Sequence, residues 1–151
     1  FSAMPTNLYG PNDNYDLENS HVLPALIRKF HTAKVNNEKS VEIWGTGSPK
    51  REFLHVDDLA EACLFLMLHP TPPTLSNIGC GEDISIKNLA LTVKKVVGFE
   101  GELTFNTSKP DGTPRKLLNM DVLHNLGWKH QIDLAKGITA VYKDVIDQKV
   151  F

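Results

Sequence analysis

At 151 residues and 16.8 kDa, the chain is sized for one folded domain rather than two. Sixteen Lys and Arg against eighteen Asp and Glu leave a formal charge of -2, which excludes the single-sign field of a general nucleic-acid binder. With 41% hydrophobic and 23% charged residues, it also falls outside the composition of a disordered segment.

The chain opens at Phe1 inside what reads as a strand over residues 1–4, so a piece of a longer protein is expected. Pro5-Thr6-Asn7-Leu8-Tyr9-Gly10-Pro11 and Asn12-Asp13-Asn14 follow, dense in turn-forming residues and read as a functional loop at a strand end. Asn19 or Ser20 is expected to cap a helix with Pro24 early in it and Val22, Leu23, Leu26, Ile27 and Phe30 on one face. Residues 41–44 alternate as a strand, Gly45-Thr46-Gly47-Ser48-Pro49 reads as a turn, and residues 53–56 as a short extended piece. Asp57 and Asp58 then have the chemistry to cap a helix over residues 59–69. Its apolar run is interrupted by Glu61 and falls well short of the roughly 20 residues a bilayer requires, so a core helix and no membrane partner are expected.

Pro70, Pro72 and Pro73 stop that helix, since proline lacks the amide hydrogen, and residues 75–78 make the next strand. Ser85 caps a helix with Ile86, Leu89, Ala90, Val93, Val96 and Val97 as an apolar stripe, closed by Gly98. A strand over residues 103–105, a polar stretch over 107–116 and a short helix over 121–126 ending at Gly127 come next. The last helix starts after Asp133 and buries Leu134, Ile138, Val141, Val145 and Ile146. Strands separated by helices predict an α/β arrangement with parallel pairings.

No leader with a basic start, an apolar stretch and a small-residue cleavage site is readable, and Cys63 and Cys80 have no metal-ligand spacing. Reduced thiols buried as small hydrophobes, a cytoplasmic location and no metal are expected. The sequence contains no Gly-x-Gly-x-x-Gly after a strand, no phosphate-binding Gly-Lys-Ser/Thr loop and no His-Glu-x-x-His. Gly79-Cys80-Gly81 is read as a plain turn.

Three clusters carry polar chemistry. In residues 4–11, Asn7 offers both donor and acceptor groups at a strand end. In residues 45–58, Lys50 and Arg51 follow Trp44, a pairing suited to phosphate forks and base stacking. Lys109-Pro110-Asp111-Gly112-Thr113-Pro114-Arg115-Lys116 is a proline-stiffened loop whose bases suit a diphosphate and whose carboxylate suits a sugar hydroxyl. Solvated surface charge for Lys50, Lys109 and Arg115, and a core position for Trp44, are the plainer readings of the same residues. His21 is a candidate general acid, since imidazole as a class titrates near neutrality.

At these clusters the chain resembles the extended short-chain dehydrogenase/reductases. Residues 5–11 look like the end of the sixth strand of their dinucleotide domain, and Arg51-Glu52-Phe53-Leu54-His55-Val56-Asp57-Asp58 looks like the segment opening their substrate domain. Together with Asn19-Ser20-His21-Val22-Leu23-Pro24 and the 109–116 loop, the likeness narrows to the branch that epimerises and reduces GDP-4-keto-6-deoxy-D-mannose, and covers essentially the whole chain as that enzyme's C-terminal half.

The resemblance implies an α/β substrate-binding part with one strand of the dinucleotide-binding sheet at its N-terminus, residues 1–11 belonging to the dinucleotide domain and 12–151 to the substrate domain. It implies epimerisation at carbons 3 and 5 and reduction of the 4-keto group by NADPH, giving GDP-L-fucose, with a homodimer when full length. His21 would be the acid that reprotonates and would lie near the cofactor, with Pro5, Thr6, Asn7 and Leu8. Lys29, Trp44, Arg51, Asp111 and Lys116 would hold the GDP-sugar, Lys29 standing where an Arg is expected. The glycine-rich cofactor loop, the Ser and Tyr-x-x-x-Lys reduction set and the epimerisation Cys would belong to a preceding half, so the chain alone is expected to be inactive. A non-catalytic nucleotide-sugar binding module, or a relative acting on another nucleotide sugar, are the alternatives.

Overall fold

The computed structural model describes residues 1–151. Strand β1 (Ser2–Pro5) pairs in parallel with β6 (Leu75–Ile78), and β2 (Asn7–Tyr9) in parallel with β5 (Phe53–His55). Helix α1 (Val22–Val35) leads into β3 (Ser40–Trp44), which pairs in parallel with β8 (Glu102–Asn106). The short strand β4 (Lys50–Arg51) lies between β7 (Ile84–Ser85), antiparallel, and β9 (Arg115–Lys116), parallel. Helices α2 (Val56–Leu68), α3 (Ile86–Val97), α4 (Asp121–Asn125) and α5 (Leu134–Gln148) complete the chain. This is the α/β arrangement of parallel strands joined through helices that the alternation predicts.

Helix α3 forms as its pattern dictates. Ser85 Oγ accepts from the Asn88 N–H at 3.1 Å, Gly98 closes the far end in the left-handed region at φ 71°, and Leu89, Ala90, Val93 and Val97 are buried. Each fully buried Leu or Val of this kind contributes roughly 1.5–3 kcal/mol relative to exposure. The stripe packs against α1, α5, β3 and Phe53, forming the larger of two cores. The smaller core gathers Leu54, Ala62, Leu66, Ile78, Met120, Leu123 and Trp128. Successive side chains of a strand point to opposite faces, so β5 sends Phe53 into one core and Leu54 into the other. Its partner β2 does the same, with Tyr9 in the larger core and Leu8 packed against the smaller. The β2–β5 pair is the wall between two hydrophobic regions.

Several local expectations are corrected. Neither Asn19 nor Ser20 caps α1: His21 occupies that position in extended geometry, with no side-chain cap bond. Residues 16–20 form their own turn instead, in which the Asp16 carboxylate accepts from the Glu18 and Asn19 amides and the Ser20 N–H reaches the Asp16 carbonyl. Helix α2 begins at Val56, capped by His55 Nδ1 accepting from the Asp57 N–H at 3.2 Å, so Asp57 and Asp58 lie in the first turn. Asp58 is buried and accepts from the Gln131 and Ile132 amides at 2.9 and 3.1 Å. Residues 7–9 and 115–116 are strands where a loop is predicted, and Ile146 lies on the exposed side of α5. Cys63 and Cys80 are free and half-buried rather than buried. No helix is long and apolar enough to cross a membrane.

Candidate functional site

A groove of about 650 Å³ opens where β1 and β2 end, lined by residues 5–13, His21, Val56 and residues 116–118. Crevices at the C-terminal ends of parallel strands are where open α/β sheets bind ligands. A Cβ at Gly10 would collide with the Val56 side chain, so only glycine lets the loop lie this close to the start of α2.

The groove brings the consecutive residues Pro5, Thr6, Asn7 and Leu8 together with His21 and Lys116, from three separate stretches of the sequence. Asn7 Nδ2 donates to the Glu52 carbonyl at 2.7 Å and Thr6 Oγ1 donates to the same oxygen at 3.3 Å. These polar side chains therefore brace the wall against the β4–β5 segment. His21 is exposed at the N-terminus of α1, where a dipole favours a negatively charged neighbour.

The remaining candidates lie on a surface linked to the groove through β4 and β9, where Arg51 is the register partner of Lys116. Trp44 is 60% exposed at the end of β3, and the ammonium groups of Lys29 and Lys109 lie 5.4 and 5.1 Å from its ring centroid. Cation–π attraction at such distances orients both amines on the indole. Burial pushes the Lys29 ammonium below its ordinary value, with the Glu42 charge opposing the shift. Gly45 and Thr46 follow Trp44, and the Asp111 carboxylate packs on both. Arg51 is half-buried, its guanidinium donating to the Lys50 carbonyl at 2.7 Å and lying against Gly112.

Lys50 and Arg115 are not freely solvated. Asp83 carries both, Lys50 at 3.7 Å and Arg115 through a direct hydrogen bond. That hydrogen bond holds the Asp83 carboxyl below its ordinary range, reinforced by the Arg115 and Lys50 charges.

Sequence reasoning missed Asp83 as this anchor and Glu52 as a hub. The signal for Glu52 was available: an acidic residue heading the apolar run Phe53-Leu54 on an extended segment. No group of three or more His, Cys, Asp or Glu side chains is arranged to hold a metal.

The family profile described as "NAD dependent epimerase/dehydratase family" matches residues 1–79, just over half of the chain. The chain belongs to that family. It is 57% identical to GDP-L-fucose synthase 1 of Arabidopsis thaliana over 93% of this chain and 44% of that protein. Against the GDP-L-fucose synthase of Escherichia coli K12 the identity is 52%, over 94% of this chain and 47% of the other. A GDP-L-fucose synthetase from Naegleria fowleri solved bound to NADP superposes with a TM-score of 0.91 at 30% identity, covering 99% of this chain and 48% of that one. The chain thus spans about half the length of the curated relatives it matches. As a member of the epimerase/dehydratase family, it carries that family's α/β fold.

Proposed function

We propose that this chain is the sugar-nucleotide-binding portion of an NADPH-dependent GDP-4-keto-6-deoxy-D-mannose 3,5-epimerase/4-reductase that makes GDP-L-fucose. The observation that carries the reading is the convergence of His21 and Lys116 with residues 5–8 in one groove, continuous through the Arg51–Lys116 register with the cationic face around Trp44. Relatives at 52% and 57% identity are GDP-L-fucose synthases, which supports the same product.

The groove fits one end of a dinucleotide. It is open, sits at parallel strand ends, and presents an exposed imidazole and an ammonium to a ligand that carries negative charge. Pro5, Thr6, Asn7, Leu8 and His21 would line the cofactor's site; when bound, NADPH supplies the hydride that reduces the 4-keto carbon. Lys29, Trp44, Arg51, Asp111 and Lys116 hold the GDP-sugar, Trp44 offering an exposed ring and Arg51 a fork. The 4-keto group acidifies the protons on carbons 3 and 5, and His21 returns a proton from its ring nitrogen to the carbon that lost one.

Residues 1–11 complete a dinucleotide-binding sheet whose other strands, glycine-rich loop and reduction residues lie on a preceding half. The outward residues Phe1, Met4, Leu64, Met67, Leu68 and Leu75 are the apolar surface such a half would cover. The full-length protein is a cytoplasmic homodimer, and the 151-residue chain alone does not oxidise NADPH.

The test compares Arg51→Ala and His21→Asn in the full-length protein. Arg51→Ala should weaken GDP-sugar binding by about 1.5–3 kcal/mol, as for a charged hydrogen bond, whereas His21→Asn should leave binding intact and slow solvent deuterium incorporation into the sugar. Unchanged incorporation in His21→Asn would remove the histidine from the reaction. A panel of GDP, UDP and dTDP sugars in which a non-GDP sugar turns over best would move the assignment to another nucleotide sugar.

A further inference from the structure

Glu52 is fully buried, and no Lys, Arg or His nitrogen lies within 4.0 Å of its carboxylate. An ionised carboxylate in that position is costly unless its oxygens are hydrogen-bonded. Here Oε1 accepts from the Gly81 N–H at 2.7 Å and Oε2 from the Leu118 N–H at 3.0 Å, two backbone donors from segments that do not otherwise meet in a ladder. A Cβ at Gly79 would collide with Oε1, so the Gly79-Cys80-Gly81 turn is shaped to admit the carboxylate.

The backbone of the same residue holds the other side of the groove. Its carbonyl accepts from Asn7 Nδ2 and Thr6 Oγ1, both on the wall formed by residues 5–9. Leu118 continues the opposite wall, directly after Lys116 and Leu117. One residue therefore grips both walls, with its main chain on one and its side chain on the other.

We propose that Glu52 is a positioning residue that sets the width of the groove, by tying Leu118, and with it Lys116, at a fixed distance from the wall that carries Thr6 and Asn7. A carboxylate is required because two separate N–H donors each need an acceptor. A glutamine of the same size offers one acceptor oxygen and turns an NH₂ group toward the second donor. One of the two ties is then lost while the volume is conserved, and the Leu118 tie, at 3.0 Å against 2.7 Å for Gly81, is the longer and the first to go.

The inference rests on the groove being the ligand site, and its test uses the full-length protein with two separate readouts. Amide hydrogen exchange on the wild type needs no ligand: the Leu118 and Gly81 amides should be protected at least a hundredfold over a free loop amide, and an unprotected Leu118 would overturn the tie. In Glu52→Gln, Leu118 should lose that protection, and the dissociation constant for NADP and the KM for the GDP-sugar should each rise about tenfold with kcat changed less than threefold. Glu52→Asp, which keeps both oxygens one methylene shorter, should recover part of the affinity. Gly79→Ala, which pushes on the same carboxylate from the other side, should reproduce the Glu52→Gln pattern if the latter does not accumulate as folded protein. A fall in melting temperature with KM and NADP affinity unchanged in the folded variants would make Glu52 structural only and overturn the proposal. Loss of Leu118 protection in a protein whose wild type never turns over a GDP-keto sugar would instead overturn the proposed function while leaving the tie established.

Discussion

The Asp111 carboxylate holds Thr46 twice, Oδ1 accepting from its backbone N–H at 2.6 Å and Oδ2 from its hydroxyl at 2.7 Å. The loop after β8 is thereby fastened to the turn after β3, and Lys109 is delivered to the Trp44 ring. Each carboxylate oxygen retains a second lone pair, so the same group can accept a sugar hydroxyl without releasing Thr46. Asp111→Ala should therefore increase amide hydrogen exchange across residues 107–113, and Thr46→Val should do so to a lesser degree by removing one bond of the two. A direct substrate contact with no role in the loop predicts unchanged exchange in Thr46→Val.

Trp44 and Trp128 differ in surroundings, the first exposed between two ammonium groups and the second 4% exposed in the smaller core. Iodide should quench the fluorescence of Trp44 more strongly than caesium does, because the flanking charges concentrate anions and repel cations. Lys29→Met and Lys109→Met together should bring the two quenching constants to within about twofold of each other, and GDP should protect the indole from both. Equal quenching by the two ions in the wild type would mean that the amines do not stay on the ring.

The Asp83 anchor has a definite pH signature. Its carboxyl is held below the ordinary value of 3.8, first by the Arg115 hydrogen bond and then by the Arg115 and Lys50 charges. A depressed carboxylate contributes stability above its unfolded-state value and loses it as the pH falls through the folded-state value. Urea midpoints of the wild type and Asp83→Asn should differ at about pH 6, and the gap should narrow progressively as the pH is taken below the ordinary value of 3.8. A gap that persists at the acid end would mean that Asp83 acts through packing instead of charge.

Asp58 should be among the costlier surface-to-core ties to break. Asp58→Ala leaves the Gln131 and Ile132 amides without acceptors and should lower stability by about 3 kcal/mol, while Asp58→Asn, keeping one acceptor, should fall between. Denaturant unfolding of the three proteins orders them; an Asn variant as unstable as Ala would assign the loss to charge rather than to acceptor number.

Helices α1, α3 and α5 were legible because each repeats an apolar face over three or more turns, and because Ser85, Gly98 and Asp133 are residues whose local chemistry stops or starts a helix by itself. The strands β2, β4, β7 and β9 were not, since two or three residues hold no period and exist only through partners distant in sequence. The cap of α2 was misread for a related reason: His55, Asp57 and Asp58 can all accept a backbone N–H, and tertiary demand decides. Asp58 is drawn inward by Gln131 and Ile132, leaving the cap to His55. For the candidate site, the sequence singled out Trp44 with Lys50-Arg51, but gave no sign that Lys29 and Lys109 lie over the Trp44 ring. The place of Glu52 at the head of an apolar extended run was visible, but the two ties it makes were not, because its donors are backbone amides and leave no trace in side-chain spacing.

The pairs β1–β6, β2–β5 and β3–β8 are all parallel and all join segments separated by at least one helix. Each closes only after a long loop of chain has been ordered, so folding begins with few rewards and accelerates late. On a ribosome, β3 would wait for β8 to emerge, and β1 for β6, with their hydrogen-bonding edges open meanwhile. The nascent chain is then most exposed to wrong partners before Asn106 has cleared the exit tunnel, and a chaperone that covers strand edges would act in that interval.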